Sequence, residues 1–186
     1  MTDPGHIDLM VSLLQPPARS GNATYRGVGS GHLATLQRGD TVLARIRPFR
    51  GAIADRVQAL AEGAHPAPAV CYFGGDAPDA DFLHAEELRA AEAVGAVSLR
   101  PAFSATPVDG VSFVQHRIAA EADEVWRLLD AVARVHVCGD GSRMAPGVRA
   151  AFRALHGERS PGGDYEQWLN ELIVSGRYTE DVYAAG

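Results

Sequence analysis

Cys138 closes a short apolar run, Val135-His136-Val137-Cys138, and is followed at once by Gly139 and Asp140. Two other apolar runs end in a similar way. Ala69 to Phe73 stops at Gly74-Gly75, and Val97 to Phe103 stops at Ser104. In open α/β sheets, ligands bind outside the carboxyl ends of the strands, where such small and polar residues fall. A fourth cluster, Gly27-Val28-Gly29-Ser30, leads into a short helical stretch, His32 to Leu36. Small residues let the backbone approach an anion, and a helix N-terminus favours negative charge, so this segment could hold a phosphate. It has no GxGxxG spacing and follows no parallel strand, so on the residues alone a plain turn accounts for it equally well. Two cysteines, Cys71 and Cys138, do not make a disulfide framework, and each also reads as a small buried hydrophobe. The seven histidines have no Cys or Asp partners at ligand spacing, so no metal site is expected.

The elements that must position these residues change character near Pro48. Before it, Ile7, Leu9, Val11 and Leu13 alternate with more polar neighbours, as do Val42, Ala44 and Ile46, the period-2 pattern of half-buried strands. After it, helical and extended patterns alternate. Ile53, Val57 and Leu60 share one helix face, and a second helix is expected over roughly Phe82 to Val94. Val125, Leu128, Leu129 and Val132 mark a third, Met144, Val148, Phe152 and Leu155 a fourth, and Trp168 with Leu172 a fifth. Continuous apolar strands separated by amphipathic helices predict an α/β fold with a parallel sheet covered on both faces. Residues 1–47 are read as a fragment of an antiparallel β domain and 48–186 as the α/β domain.

Composition narrows the function classes. The chain has 186 residues, 46% hydrophobic and 22% charged, which suits one well-buried domain or one domain plus part of another. A net charge of −6 argues against a nucleic-acid partner, because phosphate binding needs clustered basic residues. No apolar run is long enough to span a bilayer, and the N-terminus carries no basic segment followed by an apolar one. A cytoplasmic protein is expected.

Four blocks, in order and in register, resemble the diflavin reductases. Tyr72-Phe73-Gly74 with Asp81, Leu83 and Glu86-Glu87-Leu88 is similar to that family's "FG…D.L…EL" block. Ala102-Phe103-Ser104 followed by Phe113-Val114-Gln115-His116 is similar to "AFSR…YVQH", and Val137-Cys138-Gly139-Asp140 with Met144-Ala145 and Val148 to "VCGD…MA..V". Gly176 to Tyr183 is similar to the "GRY..DVW" terminus. The nearest kin by these motifs is the reductase half of bacterial fused haem monooxygenases. The resemblance implies a ferredoxin–NADP reductase-like, Rossmann-like domain, in which NADPH passes hydride to FAD. Electrons then leave toward an FMN domain or a haem-protein acceptor, which another chain can supply.

The resemblance also assigns roles. Cys138 would lie beside the nicotinamide, and Asp181 would stabilise charge there. Tyr183 would stack on the flavin ring. Gly27, Val28, Gly29 and Ser30 would hold the FAD pyrophosphate. Ser104, Phe113, Gln115, Gly139, Asp140 and Met144 fall in the NADP(H) blocks.

Departures from the family pattern are equally specific. Ile46-Arg47-Pro48 runs straight into Phe49-Arg50-Gly51, where the family has a strand and a "GPGTG.AP" loop in between. That loop cradles the NADP pyrophosphate, and losing its strand would expose the neighbouring strand edges. Asp76, Ala105 and Val111 stand where the family has arginine, arginine and lysine. The latter two bases grip the 2′-phosphate, with Arg117 the one candidate replacement, so a preference for NADP over NAD is not implied. No match to the "RYYS" flavin motif is present, and the chain reads as a truncated reductase. Two functions are carried forward: a FAD- and NADP(H)-linked oxidoreductase module, or an inactive remnant or interaction module that keeps the fold.

Overall fold

In a computed structural model of the chain, the described residues are 35–37, 40 and 53–183. The chain divides into two compact units, Met1–Pro48 and Phe49–Gly186, and the elements below belong to the second. The expected strands at Ile7–Leu13 and Val42–Ile46 and the glycine cluster at Gly27–Ser30 lie outside the described residues.

Helix α1 (Ile53–Ala61) turns Ile53, Val57 and Leu60 onto a small core of Ala91, Ala96 and Val97. Strand β1 (Val70–Gly75) follows, then helix α2 (Ala85–Ala93) and strand β2 (Ser98–Phe103). β1 and β2 pair in parallel, with Val70 opposite Ser98 and Gly75 opposite Phe103. A parallel pair needs a crossover, and α2 supplies it. Helices α3 (Val114–Ala120) and α4 (Ala122–Asp130) lead to strand β3 (Val135–Asp140). Helices α5 (Met144–Arg159) and α6 (Tyr165–Val174) then cross over to strand β4 (Tyr178–Tyr183). β3 and β4 are also parallel, with Val135 opposite Tyr178 and Asp140 opposite Tyr183.

The α/β fold with parallel pairing expected from the sequence is therefore present. It differs in one respect. Among the described residues the strands form two separate parallel pairs, β1–β2 and β3–β4. Helix α3 packs on β1, β2 and α5, and α5 packs on β3, so two helices tie the pairs together. The main core runs through them, with Val114 and Ile118 from α3, Val148, Phe152 and Leu155 from α5, and Val137 from β3 all buried. Tyr72 of β1 and Val135 of β3 pack against that same cluster.

Among the described residues, β3 alternates in burial rather than being covered on both faces as expected. Val137 is buried, whereas His136 and Cys138 are exposed, so the strand alternates. A polar side chain on the open face removes the penalty for leaving it in water.

Four helices end with a left-handed residue just past the last turn: Gly63, Gly95, Val132 and Gly176. Each shows paired capping bonds, such as Ala96 N to the Ala91 carbonyl at 2.9 Å with Gly95 N to the Glu92 carbonyl at 2.8 Å. Glycine takes that conformation without steric penalty. Val132, at φ 63°, does not.

Candidate functional site

The carboxyl ends of the strands gather most of the candidate residues. At the end of β1, Gly74 and Gly75 permit close packing. A Cβ on Gly74 would lie 3.1 Å from Val114 Cγ1, and one on Gly75 would lie 3.1 Å from Asp81 Cβ. The first turn of α3 therefore seats directly against the strand end. Asp76 follows, and its carboxylate accepts a hydrogen bond of 2.7 Å from Ser104 Oγ at the end of β2. Phe113 stands just before α3, 47% exposed, edge-on to the His116 ring. Gln115 reaches from α3 to α5, where a Cβ on Gly147 would come within 3.1 Å of its amide.

Asp140 ends β3 and organises the entry into α5. Its Oδ1 accepts from Ser142 N at 2.8 Å and Ser142 Oγ at 2.6 Å, and its Oδ2 from Arg143 N at 3.1 Å and Met144 N at 3.3 Å. These donors, the Ser142 hydroxyl first, hold its carboxyl well below the usual range, at about 2. Gly139 sits at φ 131°, and a Cβ there would stand 3.0 Å from Met144 Cε, so only glycine fits easily. Gln115, Gly139, Asp140 and Met144 are thus brought to the first turns of α5. The Asp140 carboxylate is already engaged by the protein and acts here as the organiser of the turn.

Cys138 and Asp181 are opposite each other in the parallel ladder, and both are exposed. Register partners in such a ladder project to the same face. One rung earlier on that face, His136 Nδ1 lies 2.7 Å from Thr179 Oγ1. Burial and the charge of Arg134 lower the His136 pKa below its ordinary value. Cys71, by contrast, is partly buried on β1, and burial pushes its thiol pKa up.

β4 is held beside β3 by a second set of contacts. Arg149 of α5 makes a two-pronged contact with Glu180, at 2.9 and 3.1 Å. Tyr178 donates to Glu180 at 2.8 Å. Asp181 therefore sits next to an anchored residue. Tyr183 is the last residue of the strand, opposite Asp140.

Sequence reasoning passed over two contributors. Asp81 accepts from the amides of Asp76 and Ala77 at 3.2 and 3.0 Å and so shapes the turn after β1. Glu180 fixes β4. Asp81 lies within a motif block already quoted, but Glu180 carries no local signal, since its partner is 31 residues away. Among the described residues no group of His, Cys, Asp or Glu could hold a metal ion, and no helix is long and apolar enough to cross a membrane.

No protein-family model matches the chain. The bifunctional cytochrome P-450/NADPH–P-450 reductase 1 of Bacillus subtilis is 34% identical over 212 residues, covering 98% of this chain and 20% of that protein. The second such protein of the same organism is 32% identical over 205 residues, with 95% and 19% covered. A self-sufficient cytochrome P-450 monooxygenase of Oidiodendron maius is 33% identical over 216 residues, with 97% and 20% covered. The chain spans about one fifth of the length of the curated relatives it matches. The 212 aligned positions exceed the chain's 186 residues, so the first relative carries positions that face gaps here. These fused proteins are homologues of the chain, and a match of this extent fits a segment of their reductase region.

Proposed function

We propose that this chain, a homologue of one fifth of the fused cytochrome P-450/NADPH–P-450 reductases, is the nucleotide-binding part of an electron-transfer oxidoreductase. In this reading residues 48–186 bind the reduced nicotinamide dinucleotide. By the family resemblance, Gly27–Ser30 would take part in holding the FAD pyrophosphate; separately, Tyr183 would have a flavin-stacking role. Electrons pass on to an FMN domain or a haem-protein acceptor, which another chain can supply, in the cytoplasm.

The observation that carries this reading is the pairing of Cys138 with Asp181, two residues before the carboxyl ends of β3 and β4, within a match covering 98% of the chain. A reduced nicotinamide supplies a hydride when bound, and its ring gains positive charge as the hydride leaves. The Asp181 carboxylate stabilises that charge from one strand. Cys138, on the adjacent strand and the same face, would limit how the bound ring is positioned. Asp140 stays ionised and keeps the first turn of α5, with Met144 and Gln115, in position.

The test uses the purified chain. Flavin absorbance after gel filtration with added FAD, and nucleotide-dependent reduction of ferricyanide, would support the oxidoreductase reading. A folded protein that binds neither flavin nor nicotinamide nucleotide would overturn it and leave the non-catalytic alternative.

A further inference from the structure

The ends of β1 and β2 do not fit the phosphate that distinguishes NADPH from NADH. We propose that this corner rejects a 2′-phosphate and accepts a free ribose hydroxyl, so that the dinucleotide taken by this chain is the unphosphorylated one. The inference rests on the reading of the chain as a nicotinamide-nucleotide-binding part.

The parallel ladder of β1 and β2 continues one rung past the strands. Ser104 N donates to the Gly75 carbonyl at 3.1 Å, and Ala105 N donates to the Asp76 carbonyl at 2.9 Å. That rung sets Asp76 beside Ser104, whose hydroxyl donates to Asp76 Oδ1 at 2.7 Å. Behind the same turn, Asp81 Oδ2 takes the amides of Asp76 and Ala77. Both amides are thereby taken by the protein's own carboxylate and are not open to an anion. The turn is therefore already filled by a carboxylate of the protein, with a second one in front.

Among the described residues of β1 through α3, no arginine is shown to contact Asp76 or Ser104. The chain contains no lysine, and β1 through α3 carry three arginines, of which Arg100 and Arg117 are ion-paired and the exposed Arg89 makes no ion pair with a carboxylate. Arg89 lies over the Phe82 ring at 5.3 Å. Arg100 pairs with Glu121 at 3.3 Å and Glu124 at 3.7 Å. Arg117 donates to the Pro101 carbonyl at 3.3 Å and faces Glu121 at 3.9 Å. Ala105 offers no side-chain donor, and Val111 is 6% exposed, packed inward. A phosphate monoester carries between one and two negative charges near neutrality, and two carboxylates close by oppose it. A ribose hydroxyl instead donates to the free Asp76 Oδ2, which is the contact acidic residues make at the strand ends of NAD-selecting sheets.

Titration calorimetry of the full chain with NADH and with NADPH tests this without any turnover. NADH is expected to bind at least tenfold more tightly. Asp76→Asn, isosteric and exposed, keeps an oxygen that accepts from Ser104 and should shrink that ratio several-fold. Asp76→Arg combined with Ala105→Arg should invert it. Equal affinities, or tighter NADPH, would overturn the inference while leaving nucleotide binding intact. A preference for NADH unchanged in Asp76→Asn would remove Asp76 from it. A folded chain that binds neither nucleotide would overturn the nucleotide-binding reading itself, and this inference with it.

Discussion

Cys138 and Asp181 stand opposite each other on adjacent parallel strands, with a buried Val137 one residue before the cysteine and the Arg149–Glu180 contact one residue before the aspartate. Each reacting candidate is thus exposed, while its preceding neighbour is fixed in the interior or by an ion pair. With a complementing FAD domain supplied, Asp181→Asn should slow flavin reduction by roughly 10²–10³-fold, the usual loss for a group acting on developing charge, and Cys138→Ala by about 10²-fold through lost positioning. Nucleotide affinity should hardly change, because the effect is confined to the transition state. The double variant should lose less than the product of the two, since both act on one reacting group. Stopped-flow reduction in the three variants and the parent decides it; unchanged rates in folded variants would remove both residues from the chemistry.

Asp140 makes the entry into α5 sensitive to acid. Its carboxyl is held at about 2 against an ordinary 3.8. A depressed carboxylate contributes stability that is fully present above its unfolded value and is lost as pH falls toward its folded one. The urea midpoint should therefore decline between pH 4 and 2, and decline less in Asp140→Asn. An NMR titration of the Asp140 carboxyl with a midpoint near 4 would contradict the geometry.

Val132 occupies a position where three other helices of the fold place glycine. It is 67% exposed, so its side chain adds little packing, while the left-handed backbone costs a β-branched residue ~1–2 kcal/mol. Val132→Gly should stabilise the chain by about 1 kcal/mol, roughly 2–4 °C in Tm for a chain of this size. A lower Tm would show that the strain is offset by contacts of the valine.

Three of the five tyrosines are held above their ordinary pKa of 10. Burial is the first cause for each. Tyr72 also donates to Glu121 at 2.9 Å, and Tyr178 donates to Glu180. Raised values mean stability that is complete below pH 10 and lost as pH rises further. Phenolate absorbance near pH 11 should fall well short of that of the urea-unfolded chain. Tyr72→Phe should reduce the shortfall and destabilise by about 1 kcal/mol through the lost bond to a charged group.

The sequence by itself determined the α/β class, because continuous apolar runs separated by 3.6-period stripes have few other ways to bury themselves. It also located the strand ends, since Gly74-Gly75, Ser104 and Gly139-Asp140 interrupt those runs. What it left undecided depended on partners far apart in the chain. The helix at Val114–Ala120 is short, and it is held by Gly74, Gly147 and the core, none of them sequence neighbours. Strand β4 exists because Tyr178–Tyr183 pairs with β3 some 43 residues earlier and Arg149 clamps Glu180. Cys138, a candidate for burial by composition, is exposed because its alternate neighbour Val137 took the buried face. Asp76 looked like a lost arginine; only the extra rung of the β1–β2 ladder turned it into a carboxylate paired with Ser104. Local chemistry sets which residues end a strand, and tertiary register sets which of them meet.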